Sequence, residues 1–212
     1  DWPQWMGPKR DSIWRETGIL TEFPSTGAKI LWRKPIGGGY SGPAVASGRV
    51  LVMDFLQSSG KSTLDFNNRD RIPGQERILC LNAATREPQW EHAYDCEYNM
   101  SYATGPRCTA TIANNKVYAL GAEGNLFCLE LTSGKIVWSH DLKKDYKAET
   151  PMWGFCAHPL YDNNQLYCMV GGEGSVAVAF DATTGKEIWR SLKAREAGYC
   201  PPTMIEAGGK RQ

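Results

Sequence analysis

The chain alternates between short apolar runs and polar stretches that contain glycine, asparagine or aspartate. Three segments show this most clearly: "RILCLNAATREPQW", "NLFCLELTSGKIVW" and "VAVAFDATTGKEIW", which end at Trp90, Trp138 and Trp189. Each apolar run is short and rich in Leu, Ile, Val or Phe, as is typical of a β-strand. We therefore interpret each segment as a strand, a tight turn and a second strand that ends at the tryptophan.

The turn inside each unit has its own chemistry. Asp181 begins the third turn, where its carboxylate can accept backbone N–H bonds, and Gly185 supplies the positive φ that closes it. Gly134 takes the same place in the second unit. Arg86 takes that place in the first unit, so we expect the first turn to be distorted.

A further hairpin precedes each unit, in "PAVASGRVLVMDF", "TATIANNKVYALGA" and "HPLYDNNQLYCMVGG". The hairpin tips are dipeptides that tolerate the positive φ of tight β-turns. These tips are Ser47-Gly48, Asn114-Asn115 and Asn163-Asn164. Four antiparallel strands and one fixed tryptophan in roughly 50 residues indicate a β-propeller blade, whereas β-solenoid coils are much shorter. The predicted fold class is all-β, with each tryptophan packed between neighbouring blades.

The "FDATTGKEIW" unit and its relatives resemble the repeats of the PQQ-like (quinoprotein-type) β-propeller family. The opening "DWPQWMGPKRDS" is similar to the segment that precedes the first blade in many members. The resemblance implies seven or eight blades of four antiparallel strands, so this chain is expected to cover about half of the ring. Three explanations stay open: a piece of a longer chain, closure by a second copy or subunit, or an open curved array.

The repeat pattern indicates that the whole chain forms one partial propeller with several segments. We predict an N-terminal segment with a ring-closing strand at 1–36, blades at 43–90, 107–138 and 156–189, and the start of another blade at 199–212. The ring-closing strand contains Trp32 in "AKILWRKPIG", where it takes the place of the repeated tryptophan.

The resemblance permits two functions. Quinoprotein alcohol dehydrogenases of this family use a calcium-bound quinone beneath an adjacent Cys-Cys pair. Other members are cofactor-free scaffolds, such as the propeller lipoprotein of the outer-membrane barrel-assembly machinery. This chain has no adjacent cysteines, and no catalytic residue can be transferred to it. We therefore predict a non-catalytic scaffold without a cofactor, with a dehydrogenase that uses PQQ and calcium as the alternative.

Composition and charge narrow the class of partner. The formal net charge is +1 with both signs mixed, which argues against nucleic acid, and no apolar run is long enough to span a bilayer. The seven cysteines form no metal-binding pattern, so we predict no metal ligand. The start at Asp1 fits a processed secretory chain, and a chain trimmed for other reasons would start in the same way. Together with the family resemblance, it predicts a secreted or periplasmic location.

The long connections of such a propeller lie on one face, here called the long-loop face. They comprise residues 37–42, 54–75, 94–106, 141–155 and 191–199, and long loops on a rigid scaffold commonly carry function. We predict that the ligand or protein partner binds there. The candidate binding residues are Tyr40, Tyr98, Tyr102, Arg107, Trp153, Phe155, His158, Tyr199, Glu123 and Glu173.

Alternatives remain for individual residues. The aromatic rings could instead fill the channel, and the two glutamates of the repeated "G-x-E-G" could be solvated turn residues. His92 and His140 each follow a repeated tryptophan by two positions, so we interpret them as structural. Cys96 and Cys108 are candidates for a disulfide, with simple packing as the other interpretation.

Overall fold

The computed structural model describes residues 1–212. Three four-stranded antiparallel sheets follow one another along the chain, and each has its strands in sequence order. The strands of the first sheet are β1 (Ala44–Ala46), β2 (Arg49–Gln57), β3 (Asp70–Asn82) and β4 (Pro88–Met100). The second sheet has β5 (Thr111–Ala113), β6 (Lys116–Leu120), β7 (Asn125–Glu130) and β8 (Ile136–Asp141), followed by the helix α1 (Leu142–Tyr146). The third has β9 (Leu160–Asp162), β10 (Gln165–Met169), β11 (Ala177–Asp181) and β12 (Glu187–Ser191), and the hairpin β13 (Glu206–Ala207) and β14 (Lys210–Arg211) follows it.

This arrangement confirms the all-β propeller fold, and the three sheets are called blades 1 to 3 below. The hairpin tips have the predicted backbone, because both residues of each dipeptide have positive φ, between 45° and 69°. The only helix has five residues, and no helix of the chain could span a membrane.

Each repeated tryptophan that has a following blade docks on the turn of that blade. Trp90 Nε1 donates to Leu131 O at 2.8 Å, and Trp138 Nε1 donates to Ala182 O at 3.0 Å. Leu131 and Ala182 also donate their backbone N–H groups to the hairpin tip of their own blade. Leu131 N donates to Asn115 O at 3.0 Å, and Ala182 N donates to Asn164 O at 2.9 Å. Leu131 and Ala182 therefore each make two contacts. The carbonyl binds the tryptophan of the previous blade, and the N–H joins the two hairpins of the residue's own blade.

Glycine closes these turns because the indole leaves no room for a side chain. A Cβ on Gly134 would lie 2.6 Å from the Trp90 ring, and one on Gly185 would lie 2.7 Å from the Trp138 ring. Both residues also have positive φ, 69° and 73°. The glycine is required by the turn and by the neighbouring blade together.

The expected distortion of the first turn is wrong. Arg86 adopts φ 65°, and its N–H donates to Asn82 O at 2.8 Å, the same bond length that Gly185 makes to Asp181 O. A non-glycine residue tolerates this backbone at a cost of roughly 1–2 kcal/mol. The turn therefore keeps its shape, and Trp32 Nε1 still reaches Ala83 O at 3.0 Å.

The predicted ring-closing strand is not formed in this chain and stays a prediction for a closed ring. Residues 28–36 form no strand, because the backbone there pairs with no sheet edge, and only the Trp32 indole keeps the docking bond. The first part of the N-terminal segment instead crosses the inner strands. Trp2 N donates to Val45 O at 2.7 Å, and Ile112 N donates to Pro3 O at 2.8 Å.

Blade 1 is longer than the sequence indicated. We expected loops at 54–75 and 94–106, but β2, β3 and β4 extend into both of them. The pairing continues from Asn82 opposite Arg49 out to Asp70 opposite Met100. Polar residues fill this extension because one of its faces is open to solvent, so a hydrophilic stretch concealed a strand pair.

Apolar side chains fill the space between successive blades. One cluster of twelve buried residues lies between blades 1 and 2, and a second of seventeen lies between blades 2 and 3. By contrast, all five residues of β12 are exposed, and Trp189 has 42% of its surface accessible.

We predict that Gly185→Ala destabilises the protein more than Gly174→Ala does. Both glycines have positive φ, 73° and 78°, but an added Cβ meets Trp138 only at Gly185, whereas Gly174 has open space. The extra cost should be about 1–3 kcal/mol, as for overpacking. Urea unfolding followed by circular dichroism measures both variants, and equal losses would contradict the docking of Trp138 on this turn.

Candidate functional site

The long connections of neighbouring blades contact one another along a single rim. Ser101 N donates to Met152 O at 2.7 Å, and Tyr40 N donates to Pro106 O at 2.8 Å. Trp153 N donates to the Tyr199 hydroxyl oxygen at 3.3 Å. The long-loop face is thus one continuous surface of interlocked loops.

Arg107 holds the centre of this surface. Its guanidinium donates to Trp153 O, Ser101 O and Tyr102 O at 2.8 Å each, and it also bonds Gly105 O. Its charge lies over the Tyr40 ring, 5.0 Å from the centroid. Because its donors are occupied by carbonyls, Arg107 fixes the loops and presents Tyr40 and has little capacity left for an anion.

A cavity of about 430 Å³ opens between this surface and the N-terminal segment. Its walls combine aromatic rings with a few polar groups, as small-ligand and side-chain pockets commonly do. The lining residues are Trp2, Gln4, Trp5, Met6, Tyr40, Gly42, Pro43, Arg107, Thr109 and His158. Of the sequence-predicted site residues, Tyr40, Arg107 and His158 therefore meet at one cavity.

His158 forms one wall of the cavity and is stacked on Trp5, with ring centroids 4.8 Å apart. Its Nδ1 accepts the Thr109 N–H at 2.9 Å, so the neutral ring carries its proton on Nε2. Burial, followed by the positive charge of Arg10, lowers the pKa of His158 to about 4. Arg10 is itself 9% exposed and donates to Pro159 O at 3.0 Å.

Trp5 and Trp2 are site residues that sequence reasoning missed. They lie in "DWPQWMGP", a segment that we assigned only as the approach to the first blade. The two tryptophans in an otherwise unpatterned stretch are the signal that could have found them. Their partners, Val45 and His158, lie far away along the chain, so the contact itself is not visible in the sequence.

Tyr98 and Phe155 are not available to a ligand, because both are at most 1% exposed. The Tyr98 hydroxyl donates to Glu76 Oε1 at 2.7 Å, and Ala122 N donates to the same oxygen at 3.0 Å. Burial raises the pKa of the Glu76 carboxyl, although these donors and Tyr94 oppose the change. These groups form a buried hydrogen-bond network between blades 1 and 2.

The two glutamates of the repeated "G-x-E-G" have different roles. Glu123 is 2% exposed and accepts bonds from Asn99 N, Thr150 Oγ1 and Lys143 Nζ, so it is a buried structural residue. The expectation of a solvated turn residue is wrong there. Glu173 is solvated, with its side chain 80% exposed and paired with Lys193. The two do not converge on one ligand.

Trp153, Tyr199 and Tyr102 remain accessible on the rim. Trp153 is 42% exposed, and the centroid of its ring lies 5.0 Å from that of the Tyr199 ring. Tyr102 is partly exposed in a left-handed turn with φ 51°, and its carbonyl accepts from Arg107.

The Cys96–Cys108 disulfide is absent, because all seven cysteines are free thiols. Cys108 lies in the core between blades 2 and 3, with its Sγ 3.4 Å from Phe155 O. Cys96 packs against a separate cluster, most of whose residues belong to blade 1. Burial raises the pKa of both thiols.

The donor set of these residues does not fit calcium. Calcium takes six to eight oxygen ligands, among them carboxylates, and the residues that line the cavity include no Asp or Glu. The nearby buried carboxylate of Asp54 is held by Arg77 and by Gly37 N. Stacked aromatic rings could accept a planar organic ligand, but the calcium that accompanies PQQ has no carboxylate ligand among the residues that line this cavity.

We predict that His158→Asn weakens the acid sensitivity of the protein. The depressed pKa keeps His158 neutral in the fold, so the unfolded chain binds more protons as pH falls from 6.5 towards about 4, and stability is lost there. The wild-type loss down to about pH 4 should be about 3 kcal/mol, since one pKa unit corresponds to about 1.4 kcal/mol. Asn retains an acceptor for Thr109 N but cannot be protonated.

Urea unfolding between about pH 7 and about pH 4 measures this difference. Glu173→Gln, which changes an exposed carboxyl, is the control and should keep the wild-type pH dependence. If the wild-type and His158→Asn curves run parallel, His158 is not buried as a neutral ring.

Comparison with known proteins identifies relatives of about twice this length or more. The assembly factor BamB of Burkholderia pseudomallei strain K96243 is 24% identical over 207 residues, which cover 80% of this chain and 50% of that protein. BamB of Bordetella pertussis is 23% identical over 175 residues, which cover 77% of this chain and 38% of that protein. The chain thus spans half of the length, or less, of these curated relatives.

Solved structures with similar folds include BamB from Moraxella catarrhalis, with a TM-score of 0.37 and 22% identity over 56% of this chain and 32% of that one. A europium-containing methanol dehydrogenase gives a TM-score of 0.47 and 15% identity over 73% of this chain and 25% of that one. These similarities are too low to carry an argument about function.

The family profile gives the decisive match. Residues 74–208, well over half of the chain, match the PQQ-type repeat family described as outer membrane protein assembly factor BamB. The matched region begins in β3 and includes blades 2 and 3. The chain therefore belongs to this family.

Proposed function

We propose that this chain is a non-catalytic binding and scaffold part of a β-propeller that uses its long-loop face to hold a protein partner. The observation that carries the proposal is a set of exposed aromatic rings on a fixed base. Trp153 and Tyr40 are 42% and 53% exposed, and both are anchored by Arg107. Tryptophan, tyrosine and arginine are the residues most often found at interface hot spots.

The rigidity of the rim supports the same proposal. The surface is pre-organised because three charged side chains hydrogen-bond to neighbouring segments. These are Arg107, Glu123 and Glu76. Pre-organisation lowers the entropic cost of association. Chemistry would instead need a reactive group that is free to reach a substrate.

The named relatives suggest the biological setting. They are called outer membrane protein assembly factors, and we propose that the partner of this chain belongs to that process. A periplasmic or otherwise secreted location follows from this assignment. The rest of the ring would come from further residues or from a second chain.

The alternative function is a PQQ- and calcium-dependent alcohol dehydrogenase whose catalytic residues lie outside this chain. The stacked Trp5 and His158 rings at the 430 Å³ cavity favour a planar ligand there. Titration of the full-length protein with the quinone and calcium, followed by tryptophan fluorescence and dye reduction, tests it. Micromolar quinone binding with turnover would replace the scaffold proposal by this one.

We predict that a photo-crosslinking amino acid in place of Trp153 captures a discrete protein partner in cells that make the full-length protein. The matched control is Ile136, which is 51% exposed on β8, in the outer strand of blade 2. Cross-linked products are identified by mass spectrometry. A partner seen from position 153 and not from position 136 supports the long-loop face.

A second arm uses Trp153→Ala and Tyr199→Ala. If the rim is a hot spot, each substitution should weaken partner binding by about 2 kcal/mol without altering the unfolding midpoint. Equal capture from positions 153 and 136, or undiminished binding by both variants, contradicts the proposal.

A further inference from the structure

His140 occupies an unusual position between blades 2 and 3. It lies on β8 two residues after Trp138, and its ring packs 4.9 Å from Phe180 of blade 3. Its Nδ1 is 2.9 Å from Asp145 Oδ2 in α1, and its Nε2 is 2.7 Å from Gly185 O. Gly185 closes the turn on which Trp138 docks.

Both ring nitrogens of His140 face oxygen atoms that can only accept. A carboxylate oxygen and a carbonyl oxygen have no proton to give at these positions. A neutral imidazole carries one N–H, so it satisfies one of the two and directs a lone pair at the other. The imidazolium carries two N–H groups and satisfies both.

His92 provides an internal comparison. It lies on β4 two residues after Trp90, the equivalent place in blade 1, but its Nε2 is buried without a partner. Burial lowers the pKa of His92, which fits a neutral ring. The difference has a structural cause: β4 runs straight on to Met100, whereas β8 ends at Asp141 and α1 brings Asp145 back over His140.

The other charged groups near this contact lie on α1, on the turn at 181–186 and on β12. Three of them bind partners other than His140. Lys143 of α1 binds Glu123, Asp181 of the turn accepts from Thr183 and Thr184, and Glu187 of β12 accepts from the Tyr146 hydroxyl. The remaining charged groups on these elements are Lys144 of α1, Lys186 of the turn and Arg190 of β12, which lies 3.6 Å from Glu187. Asp145 is thus the carboxylate that His140 contacts.

We propose that His140 is a proton-operated clamp, which joins blade 2 to the docking turn of blade 3 when the ring is doubly protonated and loosens that turn when the ring is neutral. Histidine changes charge between about pH 5 and 8. The clamp therefore tightens in acid and relaxes in alkali. It acts on the same turn as the Trp138 docking bond, so it sets how firmly the two blades are held together.

Nitrogen-15 NMR of the histidine rings tests the proposal on the unmodified protein. At about pH 5, where histidine is ordinarily charged, His140 should show two protonated nitrogens, both hydrogen-bonded, while His92 shows the neutral pattern. A neutral His140 at about pH 5, or ring N–H groups without hydrogen bonds, overturns the proposal.

Hydrogen exchange of the turn amides at 183–185 measures the mechanical consequence. After correction for the intrinsic rate, these amides should exchange about tenfold more slowly at about pH 5.5 than at about pH 8. His140→Gln should abolish this difference, and His92→Gln, at the equivalent position in blade 1, should preserve it. Turn protection that is independent of pH in the wild type, or equally altered by both variants, contradicts the clamp.

Discussion

The contact on which this structure depends is the docking of an indole on the turn of the next blade. At Trp90 and Trp138 the indole N–H bonds the carbonyl of the second turn residue, and the ring covers a glycine that has no room for a Cβ. The N–H of the same second residue bonds the hairpin tip of its own blade. One backbone unit therefore couples the two hairpins of a blade with the blade before it.

This coupling explains the repeat better than strand propensity does. An isolated four-stranded sheet would leave both faces open to water, and packing against a neighbour is what makes it stable. The docked tryptophans lie at the edges of the two interblade cores, of twelve and seventeen buried residues. Trp189 ends the series with 42% of its surface accessible, because no turn of the chain lies against it.

The rim follows different rules from the blades. Its side chains bond to backbone groups of neighbouring loops, and Arg107 alone contacts four carbonyls. The loops are therefore positioned by tertiary hydrogen bonds that no repeat encodes.

The sequence by itself determined the all-β class, the four-stranded blades, the positive φ at the hairpin tips and the role of the repeated tryptophans. Each of these depends on local chemistry that recurs with a fixed period, so the same pattern can be recognised in three copies. The sequence also supplied Tyr40, Arg107 and His158, which meet at one cavity.

Only the tertiary structure decided the fate of the other candidates. Glu123 is buried because its partners come from three other segments, at Asn99, Lys143 and Thr150. Trp5 reaches His158 across more than a hundred residues, and the ring-closing strand around Trp32 finds no sheet edge to pair with. His92 and His140 hold the same place in the repeat, yet only His140 meets two acceptors, because a helix follows its strand. The repeat determines the position of a residue within its own blade. Its burial and its hydrogen-bond partners depend on segments that are distant in the chain.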